Sequence, residues 1–116
     1  MISRSHRFHG HNSLRQVYQL GKTVRGPAFA VKSLPNPRRD SYRLAVVVSR
    51  KVHKSAVGRN RIRRRLYAAV RQLEAQISQP HDIVLTVFND SVLGLPAAEL
   101  NLQVKRQLTA AGILSR

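Results

Sequence analysis

Apolar residues recur with two different periods along this chain. With Ile62 set at zero and about 100° per residue, Leu66, Ala69, Val70, Leu73 and Ile77 fall within a sector about 100° wide. That stripe predicts an amphipathic helix from Arg59 onward, closed at Gln79-Pro80 because proline cannot continue it. Leu44 to Val48 is instead an unbroken apolar block, LAVVV, and Asp82 to Phe88, DIVLTVF, is a second. Short apolar runs without alternation predict strands buried on both faces. The first run, extended to Tyr42–Ser49, is therefore expected to be a central strand.

The remaining elements follow from shorter signals. Leu14, Val17 and Tyr18 recur at i, i+3 and i+4, which predicts a first helix capped by Asn12 or Ser13 and ended at Gly21. After Gly26-Pro27, Ala28 to Leu34 reads as a strand. The turn-rich PNPRRDS should join it to Tyr42–Ser49 as an antiparallel pair. Asn89 to Leu95 reads as a loop, and Pro96 opens a last helix in which Ala97, Leu100, Val104, Leu108 and Ala111 share a face. Gly112 stops that helix, and Leu102 falls off its stripe. The order α, β, β, α, β, α predicts a single α+β domain over 1–116, with about three helices packed on a small mixed sheet. The β-α-β passage from Tyr42 to Phe88 would ordinarily be right-handed.

Charge changes the picture most. The chain has 21 Lys and Arg against five Asp and Glu, a net charge of +16. Such a balance points to nucleic acid or an anionic surface. The longest apolar run is far short of the roughly 20 residues that a membrane span needs. MISRSHRFHGHN has no apolar signal region, so the protein is expected in the cytoplasm. The absence of cysteine excludes disulfides and thiolate metal sites.

Nine of the basic residues lie in Arg50–Arg71, RKVHKSAVGRNRIRRRLYAAVR, which has no acid. On the helical wheel Asn60, Arg61, Arg64 and Arg71 oppose the apolar stripe, with Arg63 and Arg65 flanking it. A solvated basic face is the bland reading of such a run. Five arginines between Arg59 and Arg65, without a glutamate at i+4, repel one another and favour an anionic partner instead.

Groups for catalysis are scarce. Asp40, Glu74, Asp82, Asp90 and Glu99 are each isolated, and no nucleophile motif or glycine-rich phosphate loop is present. His53 and His81 invite an acid/base ribonuclease reading, against which phosphate contact suffices to explain His53. Residues 1–12 form a basic arm, loosely packed, whose His6, His9 and His11 have metal-like spacing without a carboxylate or cysteine to complete a site. No catalytic residue and no metal site is assigned to the protein, and binding is the expected activity.

Lys51 to Arg64, KVHKSAVGRNRIRR, strongly resembles the Arg-Asn-Arg signature of the bacterial ribonuclease P protein family. The resemblance extends over nearly the whole chain, from Arg7-Phe8 through Tyr18, Gly21, Phe29 and the Asp82 strand to the closing helix. It implies a partner that is itself a catalytic RNA, and a holoenzyme that removes the 5′ leader of precursor tRNA by Mg²⁺-dependent hydrolysis. The Mg²⁺ would be bound mainly by the RNA, and the protein alone would be inactive.

The resemblance also implies roles. Lys54, Arg59, Asn60, Arg61, Arg63, Arg64 and Arg65 would face the catalytic RNA. Tyr18, Phe29, Lys32, Arg50 and Lys51 would face the leader in a cleft between the sheet and the first helix. Tyr18 and Phe29 are candidates for base stacking, and each is equally a core candidate. The β-α-β crossover through the basic helix would be left-handed, against the usual rule. Three positions depart from the family's pattern. Leu14 replaces a common aromatic, Lys32 replaces a frequent tyrosine, and Phe88-Asn89-Asp90 stands where basic residues are usual. No obligatory protein partner is evident. A structural RNA-binding protein of ribosomal type is the alternative reading.

Overall fold

The computed structural model describes His6, Phe8 and residues 11–114, with the backbone alone for 11–13. Its elements run α1 (His11–Leu20), β1 (Lys22–Arg25), β2 (Phe29–Pro35), β3 (Arg43–Val48), α2 (Ala56–Leu73), β4 (His81–Val87) and α3 (Ala97–Ala110), with single 3₁₀ turns at Glu74–Gln76 and Asp90–Leu93. The four strands form one sheet in the order β1-β2-β4-β3. β1 with β2 and β2 with β4 are antiparallel, and β3 with β4 is parallel. This is the expected α+β class with a mixed sheet.

Three expectations about the sheet are corrected. The Leu44–Val48 block is an edge strand, and the Asp82 run is the central one. Val47 remains 39% exposed, because one face of β3 carries the core and the other is partly open. β2 and β3 are not paired either. The turn after Pro35 carries the chain past the start of β4, where the Asn36 N–H donates to Pro80 O at 2.9 Å and its Nδ2 to Asp82 at 3.0 Å. β4 is thereby inserted between the two. Finally β1, KTVR, is an additional strand, too short and polar to show a period.

Strand alternation assigns the residues to two faces. Phe29, Val31, Leu44, Val46, Ile83, Leu85 and Val87 point to one side and are buried with the α2 stripe and with Leu100, Val104 and Leu108 of α3. The wheel is matched at Ile62, Leu66, Ala69, Val70 and Leu73, all buried. Ile77 is not on the helix, which ends at Leu73. It leaves the 3₁₀ turn in extended conformation and bridges to Leu114, so the same apolar side chain reaches the core by another route. α3 closes through Gly112, whose φ of 79° suits glycine, with the Ile113 N–H donating to Leu108 O at 2.9 Å.

The opposite face is crossed by α1, which packs on β2 and β4 and buries Val17 completely. α1 begins at His11, so Asn12 and Ser13 lie inside it and neither is the cap that the sequence suggests. It ends where the Gly21 N–H meets Val17 O at 2.8 Å; a β-carbon there would approach that oxygen to 2.4 Å.

The arm is not loose at its described positions. The His6 ring stacks on Tyr42 at 4.0 Å and hydrogen-bonds Tyr42 O through Nδ1, while Phe8 lies 4.9 Å from the Arg43 guanidinium. His9 and the side chain of His11 lie outside the described residues, and the metal reading of that cluster with them. Beneath Phe8, Arg43 donates to both carboxylate oxygens of Asp82 at 2.7 Å, a nearly dry pair that fixes β3 against β4.

Candidate nucleic-acid interface

The basic helix owes its rigidity to a knitted approach loop. Val52 and His53 turn back onto Ser49 O, and the Ser55 N–H donates to His53 Nδ1 at 3.1 Å. Ser55, in extended conformation, caps α2 by accepting from the Gly58 N–H at 3.3 Å. Gly58 is needed because a β-carbon there would lie 2.2 Å from the His53 ring. Arg59 then donates to the carbonyls of His53 and Lys54, each at 2.9 Å, and so locks the loop to the first turn. No acid stands in that turn, so the positive end of the helix dipole is uncompensated.

The comb on α2 is not uniform. Arg61 and Arg64 are exposed, and no hydrogen bond or ion pair engages them among the described residues. Arg63 donates to Asn60 Oδ1 and holds it one turn earlier on the helix. Arg65 turns the other way and donates to Val92 O and Leu95 O in the loop before α3. It braces the loop before α3, a duty that the RNA-facing expectation for this residue does not include. Lys54 is exposed at the helix entry.

A second cationic region lies on the sheet face that carries α1. That helix covers the half of the face near Lys32 and Ser33, and leaves open a shallow cleft floored by Ala30, Thr86 and Val47. Tyr18, 45% exposed, lies 5.8 Å from Lys32 Nζ at its side. Arg50 and Lys51 are exposed just beyond β3. Of the residues expected at the leader, Tyr18 and Lys32 therefore border this open face, and Arg50 and Lys51 follow the end of its edge strand β3. Phe29 does neither. It is fully buried on the opposite face against the α2 and α3 layer, so it is core and presents no ring to a base.

Two residues outside the expected set lie on this face too: the Arg25 guanidinium lies over the Phe88 ring, 4.4 Å from its centroid. The signal for Arg25 was the Gly26-Pro27 turn, which sets β1 beside β2 and aligns Arg25 with Ala30, two residues from Lys32.

Two of the five acids are spent on structure. Asp82 is held by Arg43 and Asn36, and Glu74 accepts from the Tyr42 hydroxyl at 2.8 Å with His6 Nε2 at 3.9 Å. Burial, and then the Glu74 hydrogen bond and charge, push the Tyr42 phenol well above its ordinary value of 10.0. His53 follows the end of β3 and His81 opens β4, so they sit at opposite ends of the sheet, about 20 Å apart at 3.3 Å per residue. They cannot act as an acid/base pair. Among the described residues no three metal-ligating side chains assemble, and no helix is long and apolar enough to cross a membrane.

The family model described as Ribonuclease P matches residues 2–112. A ribonuclease P protein component of Synechococcus elongatus is 33% identical over 116 residues, covering 97% of this chain and 95% of the relative. One from Chloroflexus aurantiacus is 34% identical, covering 97% and 82%. The fold is similar to that of the Staphylococcus aureus RNase P protein, with a TM-score of 0.82 at 22% identity over 95% of this chain and 98% of that one. It is also similar to the protein from Thermotoga maritima, with a TM-score of 0.78 at 21% identity over 90% and 96%.

Proposed function

The chain belongs to the ribonuclease P protein family, and on that premise we propose that it binds two RNAs on two sides and leaves the chemistry to one of them. As the protein component of this endoribonuclease it works with the RNA subunit in tRNA 5′ processing, and the ribosomal-type alternative is not favoured. The observation that carries the proposal is the unneutralised ridge Arg61–Arg64 on a capped, rigid helix, separate from an open cationic cleft on the other side of the sheet.

Structured RNA offers a phosphate surface read largely by shape, which suits arginine forks on a fixed helix. Lys54, Asn60, Arg61, Arg63 and Arg64 would make that contact, with Arg59 holding the entry loop. A single-stranded leader can instead be held with little regard to sequence, by stacking on Tyr18 beside phosphate contacts from Lys32, Arg50 and Lys51. The protein's carboxylates do not suit a divalent cation: Asp82 and Glu74 are engaged internally, and Asp40, Asp90 and Glu99 stand apart. Mg²⁺ is therefore assigned to the RNA, and no step passes through a protein-held metal.

Reconstitution tests this reading. The purified protein should not cleave precursor tRNA, and should lower the Mg²⁺ requirement of its cognate RNA. Tyr18→Ala should weaken precursor tRNA more than mature tRNA. Cleavage by the protein alone, or no effect on the RNA, would overturn the proposal.

A further inference from the structure

Arg25 and Phe88 have no part in the reading above, although they lie on the same sheet face as Tyr18 and Lys32. Arg25 is aligned with Ala30, and Phe88 follows Val87 and donates its N–H to Ala28 O at 3.0 Å. Since Val24 and Val87 pack with the core, alternation turns Arg25 and Phe88 toward the cleft. The result is two cation–aromatic couples, Tyr18–Lys32 and Phe88–Arg25, at the two ends of one open surface. Ala28, just before β2, is four residues from Lys32 along the extended chain, which separates the couples by about 13 Å. Between them the floor is low, with the methyl of Ala30 and the side chain of Thr86.

We propose that Phe88 with Arg25 is a second nucleobase-stacking site for single-stranded RNA, which engages leader nucleotides beyond those held at Tyr18. This rests on the leader reading of the cleft. Phe88 is 37% exposed, unusual for a phenylalanine beside a formed core, and the guanidinium 4.4 Å away gives the couple a flat cationic surface. Bases stack on aromatic rings and on arginine planes alike. Asp90, two residues on, adds a negative charge that disfavours a phosphate beside Phe88 and leaves the exposed faces of the couple to a base. The 13 Å gap corresponds to about four nucleotides of a stacked strand at 3.4 Å each, and fewer of an extended one.

The test uses the reconstituted holoenzyme and precursor tRNAs with leaders from one to eight nucleotides, with affinity measured for the native protein, Phe88→Ala, Phe88→Tyr and Tyr18→Ala. Native affinity should rise with leader length in two stages. Phe88→Ala should abolish the second stage, a loss of about 5- to 150-fold confined to long leaders, as expected for one stacked base. Phe88→Tyr should retain it. If Phe88→Ala matches native at every length, or weakens all lengths equally, the couple only stabilises the strand end and the inference fails. In that case a length dependence that Tyr18→Ala still removes would leave the leader reading standing. A native affinity independent of leader length would overturn both.

Discussion

Arg65→Met separates bracing from binding within one run of arginines. Met keeps the apolar stem and removes the two charge-assisted hydrogen bonds to Val92 O and Leu95 O. Such bonds contribute about 1.5–3 kcal/mol each when buried, and Arg65 is only half-buried, so the total should be about 2–3 kcal/mol. A chain of this length unfolds with an entropy of about 0.24 kcal/mol/K, so the midpoint should fall by about 8–12 °C. Circular dichroism melts read this directly. RNA affinity across a salt series should keep its native slope, since no phosphate contact is lost. Arg61→Ala with Arg64→Ala should do the reverse, leaving the melt nearly unchanged and lowering the slope by roughly one unit per contact. If Arg65→Met reduced the slope and left the melting point alone, Arg65 would belong to the RNA surface and the bracing argument would be wrong.

Asp82→Asn should cost about 3–5 kcal/mol, because it leaves the Arg43 guanidinium buried without its counter-charge; adding Arg43→Met should recover much of this, and a loss below about 1 kcal/mol in urea titration would refute it. Tyr42→Phe should flatten the alkaline limb of stability. The native phenol stays protonated while the unfolded one ionises near 10.0, so its contribution is complete below that pH and declines as pH rises through the higher folded value. His6, Glu74 and Arg71 face the same group, so the difference between the two proteins' stability curves is the informative quantity, and parallel curves above pH 10 would contradict the assignment.

The helix was legible because its stripe had to serve one core: Ile62 through Leu73 fit the wheel and are buried. Strand placement was not, since LAVVV and DIVLTV look alike in sequence while one lies at the edge and the other in the centre. Their difference is set by which partner arrives from elsewhere in the chain, and β2 comes from a segment nearly fifty residues before β4. Val47 shows the same limit: an apolar residue in an apolar run can face an open cleft. Among the candidate site residues, charge located the α2 surface, but of the neighbours Arg64 and Arg65 only the second is tied back to the fold among the described residues, through carbonyls 27 and 30 residues downstream. Phe29 was ambiguous until the register fixed its face.

The bridge between Ile77 and Leu114, together with the His6 contact at Glu74, draws both described ends of the chain onto one short segment after α2. That segment lies a full 18-residue helix, about 27 Å, from the Ser55 cap. A fluorophore or surface tether carried on that segment therefore stands at the pole remote from the α2 entry loop.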